Sequence, residues 1–144
     1  MSVADIPFVR LVSVYRVPSA AGFLYEALRL RLEEKDTNIS HKRLPTKAKH
    51  MAFFRSRPYL GWYLVQRKMG AMEYVGACYV TKAREIGVWI HPAWRGMLAG
   101  PTAVRLLRER YDGQLLANVN PKNEKSRAMF EKMGARLLQV TYEL

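Results

Sequence analysis

A chain of 144 residues, 49% hydrophobic and 25% charged, makes one globular domain over residues 1–144 and excludes both a multi-domain machine and a disordered polymer. With 24 Lys and Arg against 12 Asp and Glu, its formal charge of +12 favours anionic partners: nucleic acid, nucleotides or phosphorylated cofactors. One cysteine, Cys78, excludes an internal disulfide and a cysteine-based zinc site, and the lack of a long apolar run or an export leader points to a cytoplasmic protein with no membrane partner.

From Phe8 to Val17 apolar and polar residues roughly alternate, the period of a half-buried strand. Ser19 then stands where a helix cap is wanted, ahead of Phe23, Leu24, Ala27, Leu28 and Leu30 at helical spacing, with Arg29, Glu33 and Glu34 left for solvent. Asp36, Asn38 and Ser40 mark its exit. A second helix starts after Pro45-Thr46, carries Met51 and Phe54 on one face, and stops at Ser56-Arg57-Pro58. Strands follow: Leu60 to Arg67, a turn at Met69-Gly70, Glu73 to Thr81, a turn at Lys82-Ala83, and Arg84 to Ile90. After a glycine-containing loop comes a helix with Val104, Leu106 and Leu107, then a short strand over Leu115 to Val119. Asn123 is placed to cap a helix running to Met133, with Ala128 and Met129 or Phe130 on its buried face and Gly134 as a left-handed terminator. Ala135 to Leu144 reads as the last strand. The order is β-α-α-β-β-β-α-β-α-β.

Two stretches carry chemistry. Glu85 to Gly100, E-I-G-V-W-I-H-P-A-W-R-G-M-L-A-G, is a strand that ends in Pro and then Arg-Gly before a helix. The unpaired N–H groups and positive dipole end of that helix can cradle a pyrophosphate, and Arg95 adds formal charge. Taken alone, the same pattern also fits an ordinary strand-to-helix connection. Asn118 to Gly134 reads N-V-N-P-K-N-E-K-S-R-A-M-F-E-K-M-G.

In order and spacing the two together resemble the GNAT superfamily of acetyl-CoA-dependent N-acetyltransferases. Arg95 and Gly100 match the ends of the family's Arg/Gln-x-x-Gly-x-Gly/Ala motif, and Asn123, Ser126, Phe130 and Gly134 match Asn-x-x-Ser-x-x-x-Tyr/Phe-x-x-x-Gly. The resemblance implies an α/β (α+β) fold, a splayed mixed sheet of six to seven strands flanked by about four helices. Acetyl-CoA would lie between the fourth and fifth strands. Backbone groups of Val88 and Ile90 would meet its pantetheine arm, the N–H groups of Gly96, Met97, Leu98, Ala99 and Gly100 would hold its pyrophosphate, and Asn123, Ser126 and Phe130 would lie along it. Two positions depart from the pattern: Leu98 occupies the central glycine, and Phe130 stands where a tyrosine often serves as the acid for the departing thiolate. No metal site is expected.

In direct acetyl transfer a neutral amine attacks the thioester and its proton must be taken. Glu85 is the first candidate base, with Tyr79 and His91 in reserve; Glu85 pairing with Arg84 or Lys82, and His91 capping its loop, are the structural alternatives. His41 to Pro58 holds six basic residues and no acid, in the region that forms an acceptor wall in the family. Lys42, Arg43, Arg55 and Trp62 are therefore the candidate acceptor-binding residues, suited to phosphate and to base stacking. Expected is an N-acetyltransferase acting on a primary amine of an anionic acceptor: a nucleic-acid base, a nucleotide or a nucleotide-linked amino sugar. The alternative is a GNAT-fold nucleic-acid-binding or base-modifying protein that no longer uses acetyl-CoA. Tyr142-Glu143-Leu144 either ends a six-stranded sheet or completes one across a homodimer.

Overall fold

The computed structural model describes residues 8–34, 43–69 and 71–144. Five strands form one mixed sheet in the order β1-β2-β3-β4-β5: β1 (Phe8–Ser13), β2 (Gly61–Met69), β3 (Ala71–Val80), β4 (Glu85–Ile90) and β5 (Leu116–Ala117). The first four pair antiparallel, whereas β4 and β5 run parallel. A short 3-10 turn, Val14–Arg16, leads from β1 towards α1 (Ala20–Glu33), followed by α2 (Lys47–Arg55). A second 3-10 turn, Pro92–Trp94, separates β4 from α3 (Ala99–Arg110), and α4 is Glu124–Lys132.

Alternation along the strands builds a core on each face of the sheet. Val65, Val75, Cys78, Ile86 and Ile90 pack with Ala103, Val104 and Leu107 of α3 on one face. On the other, Trp62, Leu64 and Ala77 pack with Ala20 and Leu24 of α1. Helix α2 begins as expected, with Thr46 Oγ1 accepting from the Lys49 N–H at 3.2 Å. Its one buried residue is His50, whose Nε2 lies 3.1 Å from the Ala21 carbonyl and ties α2 to α1.

The sheet departs from expectation on its far side. It has five strands among the described residues rather than six to seven, because Ala135 to Leu144 forms no strand, and the strand foreseen for Leu115 to Val119 contracts to Leu116–Ala117. That last segment alternates correctly but pairs with no strand among the described residues, and Leu137, Leu138, Val140, Tyr142 and Leu144 are exposed. Helix α4 is correspondingly half covered: Met129, Phe130 and Met133 rest against the α3-side core, while Ala128, expected inside, is exposed. Ser19 sits at the cap position of α1 without a side-chain capping bond. Glu34, expected in solvent, turns inward, with a side chain 17% exposed.

Candidate active site

The site grows from the place where β4 and β5 part. They pair only at Glu85↔Leu116 and Ile86↔Ala117. Bonds from the Thr81 N–H to the Glu85 carbonyl and from the His91 N–H to the Val75 carbonyl, each 2.8 Å, set the phase of the β3–β4 ladder. In an antiparallel pair such bonds fall on alternate residues, so Gly87 and Trp89 bond back to β3 while Val88 and Ile90 aim their backbone groups at the opening. The Val88 groups are left on the open edge. The Ile90 carbonyl is taken by Arg95 Nε at 2.8 Å.

Beyond β4, the loop into α3 keeps the conformation that a glycine would supply. Leu98 adopts φ +64° and ψ 6°, and it is not in the core but 56% exposed. A left-handed leucine costs roughly 1–2 kcal/mol. No backbone or side-chain acceptor among the described residues takes the N–H groups of Met97, Leu98, Ala99 or Gly100. Gly96 has φ +78°, and a methyl group built there meets nothing within 4 Å, so the loop face is open. Pro101 supplies no donor. The loop therefore fits a phosphate-bearing substrate through its backbone.

Arg95 is committed elsewhere. Its Nη2 reaches Glu34 Oε1 at 2.6 Å, and the same oxygen accepts from Trp89 Nε1 at 3.0 Å. One carboxylate at the end of α1 thus joins β4 to the loop that enters α3. Sequence reading missed Glu34 because helical periodicity assigns a face, not a partner that arrives later in the chain.

On the α1 face, a cavity of ≈ 100 Å³ opens between Leu24, Leu28 and Arg31 of α1 and Gly87, Val88 and Trp89 of β4, with Tyr59, Trp62 and Tyr79 on its wall. A larger hollow of ≈ 290 Å³ lies beneath α2 against Val14–Pro18 and holds none of the motif residues. Tyr79 stacks on Tyr59 with centroids 4.4 Å apart and planes 9° from parallel. Burial pushes the Tyr59 hydroxyl up to about 12. Trp62 is 8% exposed, packed edge-on to Tyr59 and Phe53, so it reaches the cavity as part of an aromatic wall.

The remaining candidates separate. Glu85 stands at the start of β4 with its carboxylate accepting from Asn118 Nδ2, a bond that spans the parting strands at their base. It does not line the cavity. His91 caps the Pro92–Trp94 turn, its Nδ1 accepting from the Ala93 N–H at 3.1 Å, which is the loop-capping alternative. Asn123 caps α4 through the Ser126 N–H at 3.2 Å. Ser126 and Phe130 are half-buried in α4. Burial pushes the Cys78 thiol up to about 12, which leaves it neutral and unreactive. Lys42 lies outside the described residues, whereas Arg43, ahead of α2, and Arg55, its last residue, are exposed. No cluster of metal-ligating side chains occurs among the described residues.

The Asn123 cap gives a direct expectation. Asn123→Ala removes one helix-terminal bond and lowers stability by about 1 kcal/mol, whereas Asn123→Asp retains the acceptor. Thermal melts check this; a second, separate fall in acetyl-CoA affinity in the aspartate variant assigns Asn123 a substrate contact beyond the cap.

Residues 15–136 match the family model described as an acetyltransferase (GNAT) domain. The chain belongs to the GNAT acetyltransferase family. A domain from Methanocaldococcus jannaschii superposes on this GNAT domain with a TM-score of 0.76 at 17% identity, over 95% of this chain and 92% of that one. A phosphinothricin acetyltransferase from Sinorhizobium meliloti, solved in complex with acetyl-CoA, superposes at 0.68 with 16% identity, over 90% and 74%. A ribosomal-protein-alanine N-acetyltransferase from Brucella melitensis superposes at 0.66 with 18% identity, over 88% and 83%. At these identities the likeness is one of fold. A search of curated protein sequences finds no match. No helix among the described residues of this GNAT domain is long and apolar enough to cross a membrane.

Proposed function

We propose that this acetyltransferase moves the acetyl group of acetyl-CoA to a primary amine on an anionic acceptor, a nucleotide, a nucleic-acid base or a nucleotide-linked amino sugar, by direct attack in a ternary complex. The observation that carries the acceptor class is the basic surface of α2 and its flanks, a segment with no acid of its own although Glu26 of α1 stands near Lys47. Arg43, Lys47, Lys49, Arg55 and Arg57 are exposed, and none pairs with a carboxylate among the described residues. That surface adjoins the cavity through Phe53, which packs on Tyr59 at 5.7 Å and on Trp62 at 5.9 Å. Exposed cations without an ion pair, beside an aromatic wall, suit phosphate and a stacking ring, and they repel a polyamine.

Acetyl-CoA supplies the activated acyl group. Val88 offers backbone groups along the open edge of β4, and the Met97 to Gly100 amides offer donors to phosphate. Glu85, oriented by Asn118, is the base for the ammonium proton, acting through water because it stands back from the cavity. Tyr79, whose ring lies beside Gly87 on the cavity wall, is the second candidate. Phe130 supplies no acid, so the thiolate leaves by its own stability or by protonation from water.

The test is turnover of acetyl-CoA against amines of both signs. Nucleotide amines are expected to be acetylated with a KM that rises steeply with salt, and Arg55→Glu is expected to raise it about tenfold with little change in kcat. Faster turnover of a polyamine, or a salt-independent KM, rejects the anionic acceptor. Nucleic-acid binding with no preference for acetyl-CoA over ATP supports the binding-module alternative.

A further inference from the structure

Arg67 is the one arginine buried among the described residues, at 6% exposed. It follows Tyr63 and Val65 on the α3 face of β2, so an alternating apolar pattern carries a cation inward. A guanidinium keeps its charge at any ordinary pH and cannot escape burial by losing a proton. Its surroundings barely compensate: the guanidinium carbon lies 4.8 Å from the centre of the Trp94 ring, Nη1 is 3.4 Å from Met97 Sδ, and Nε has no hydrogen-bond partner among the described residues. No carboxylate pairs with it among the described residues. A buried cation held by a ring and a thioether is costly unless an anion completes it.

Trp94 and Met97 belong to the loop that enters α3, the same loop whose Met97 to Gly100 amides are unpaired. Backbone donors and a buried cation thus converge on one loop from opposite elements. Arg95, which the motif assigns to this role, is held by Glu34 and Ile90.

We propose that Arg67 is the side-chain cation for a phosphate group bound at this loop, with a phosphate oxygen replacing the Met97 thioether at Nη1. Met97 is 42% exposed and unbranched, so it can swing aside without moving the backbone. The proposal rests on the coenzyme reading and extends it to β2.

Arg67→Met keeps the volume and removes the charge. Calorimetry would compare this variant with the parent for acetyl-CoA, for acetyl-CoA lacking its 3′-phosphate, and for inorganic pyrophosphate. About a tenfold or greater loss of acetyl-CoA affinity is expected, with a ligand-free Tm unchanged or raised because an uncompensated charge is gone. An equal loss with the dephospho analogue places Arg67 on the diphosphate; a loss confined to acetyl-CoA places it on the 3′-phosphate. Unchanged affinity for all three ligands overturns the proposal, as does a loss fully accounted for by a lower Tm. Arg67→Lys, which keeps the charge but not the fork, is expected to lose less, and it serves if the methionine variant fails to fold. Failure of the coenzyme reading looks different: the parent then binds pyrophosphate but shows no preference for acetyl-CoA, while Arg67→Met still weakens pyrophosphate.

Discussion

Glu34→Ala is expected to lower the Tm by about 6 °C and to weaken acetyl-CoA binding about tenfold, the larger part of the thermal effect coming from Trp89 rather than from the ion pair. Trp89 is 9% exposed and donates its indole N–H to Glu34 at 3.0 Å. Without the carboxylate that donor is stranded in the interior, a loss of about 1–3 kcal/mol. Arg95, with a side chain 42% exposed, contributes less, since water screens its pairing. Its contribution is expected to be positional: released from Glu34, it holds the Ile90 carbonyl and the start of the loop into α3 through its Nε alone. Glu34→Gln separates the two, because the amide oxygen still accepts from Trp89 but without the charge that holds Arg95. Melting curves and acetyl-CoA titrations on both variants decide. A glutamine variant with parental Tm and reduced affinity fits this account; an alanine variant with parental Tm removes it.

The same carboxylate shows where sequence stops being legible. Helical spacing in α1 correctly ordered Leu24 and Ala27 inward and left Glu34 for solvent, yet its partners lie 55 and 61 residues further on and are brought to it only by the sheet. Caps are local and were partly readable: Asn123 bonds within three residues as expected and Gly134 takes φ +86°, whereas Ser19 makes no capping bond. Strand existence is only half local. Phe8–Ser13 and Ala135 to Leu144 carry similar alternation, but the first pairs along its whole length with six residues of β2, whereas the second lies beyond a fifth strand only two residues long and pairs with no strand among the described residues. Leu98 illustrates a different limit. Sequence marks it only as a leucine where the motif has glycine, whereas the chain takes the left-handed backbone that a glycine would supply and keeps the residue exposed. Arg67 did carry a signal, an arginine on the inward register of an apolar strand, and it was passed over because no motif includes it.

Gly87→Ala is expected to lower the Tm by roughly 5–10 °C and to cut acetyl transfer more than about tenfold, because it strikes the point where the sheet opens. A Cβ built there lies 2.2 Å from Tyr79 Cζ and 2.4 Å from Cε1, well inside van der Waals contact. The ring has little freedom to retreat. It stacks on Tyr59, which packs edge-on against Trp62 at 4.9 Å, which in turn meets Phe54 at 5.7 Å. Moving Tyr79 therefore disturbs the whole aromatic wall of the cavity, and holding Tyr79 pushes β4 away from β3 beside Val88. Overpacking of this kind costs about 1–3 kcal/mol. The double variant Gly87→Ala with Tyr79→Leu relieves the clash, so its Tm is expected to exceed that of Gly87→Ala alone, a coupling that independent sites do not show. Activity need not return with stability. If Tyr79 only fills space, the double variant regains turnover along with its fold; if its hydroxyl takes the proton, turnover stays low while Tm recovers, and the choice between Tyr79 and Glu85 as base is made. Additive effects of the two substitutions would show that Tyr79 does not press on Gly87.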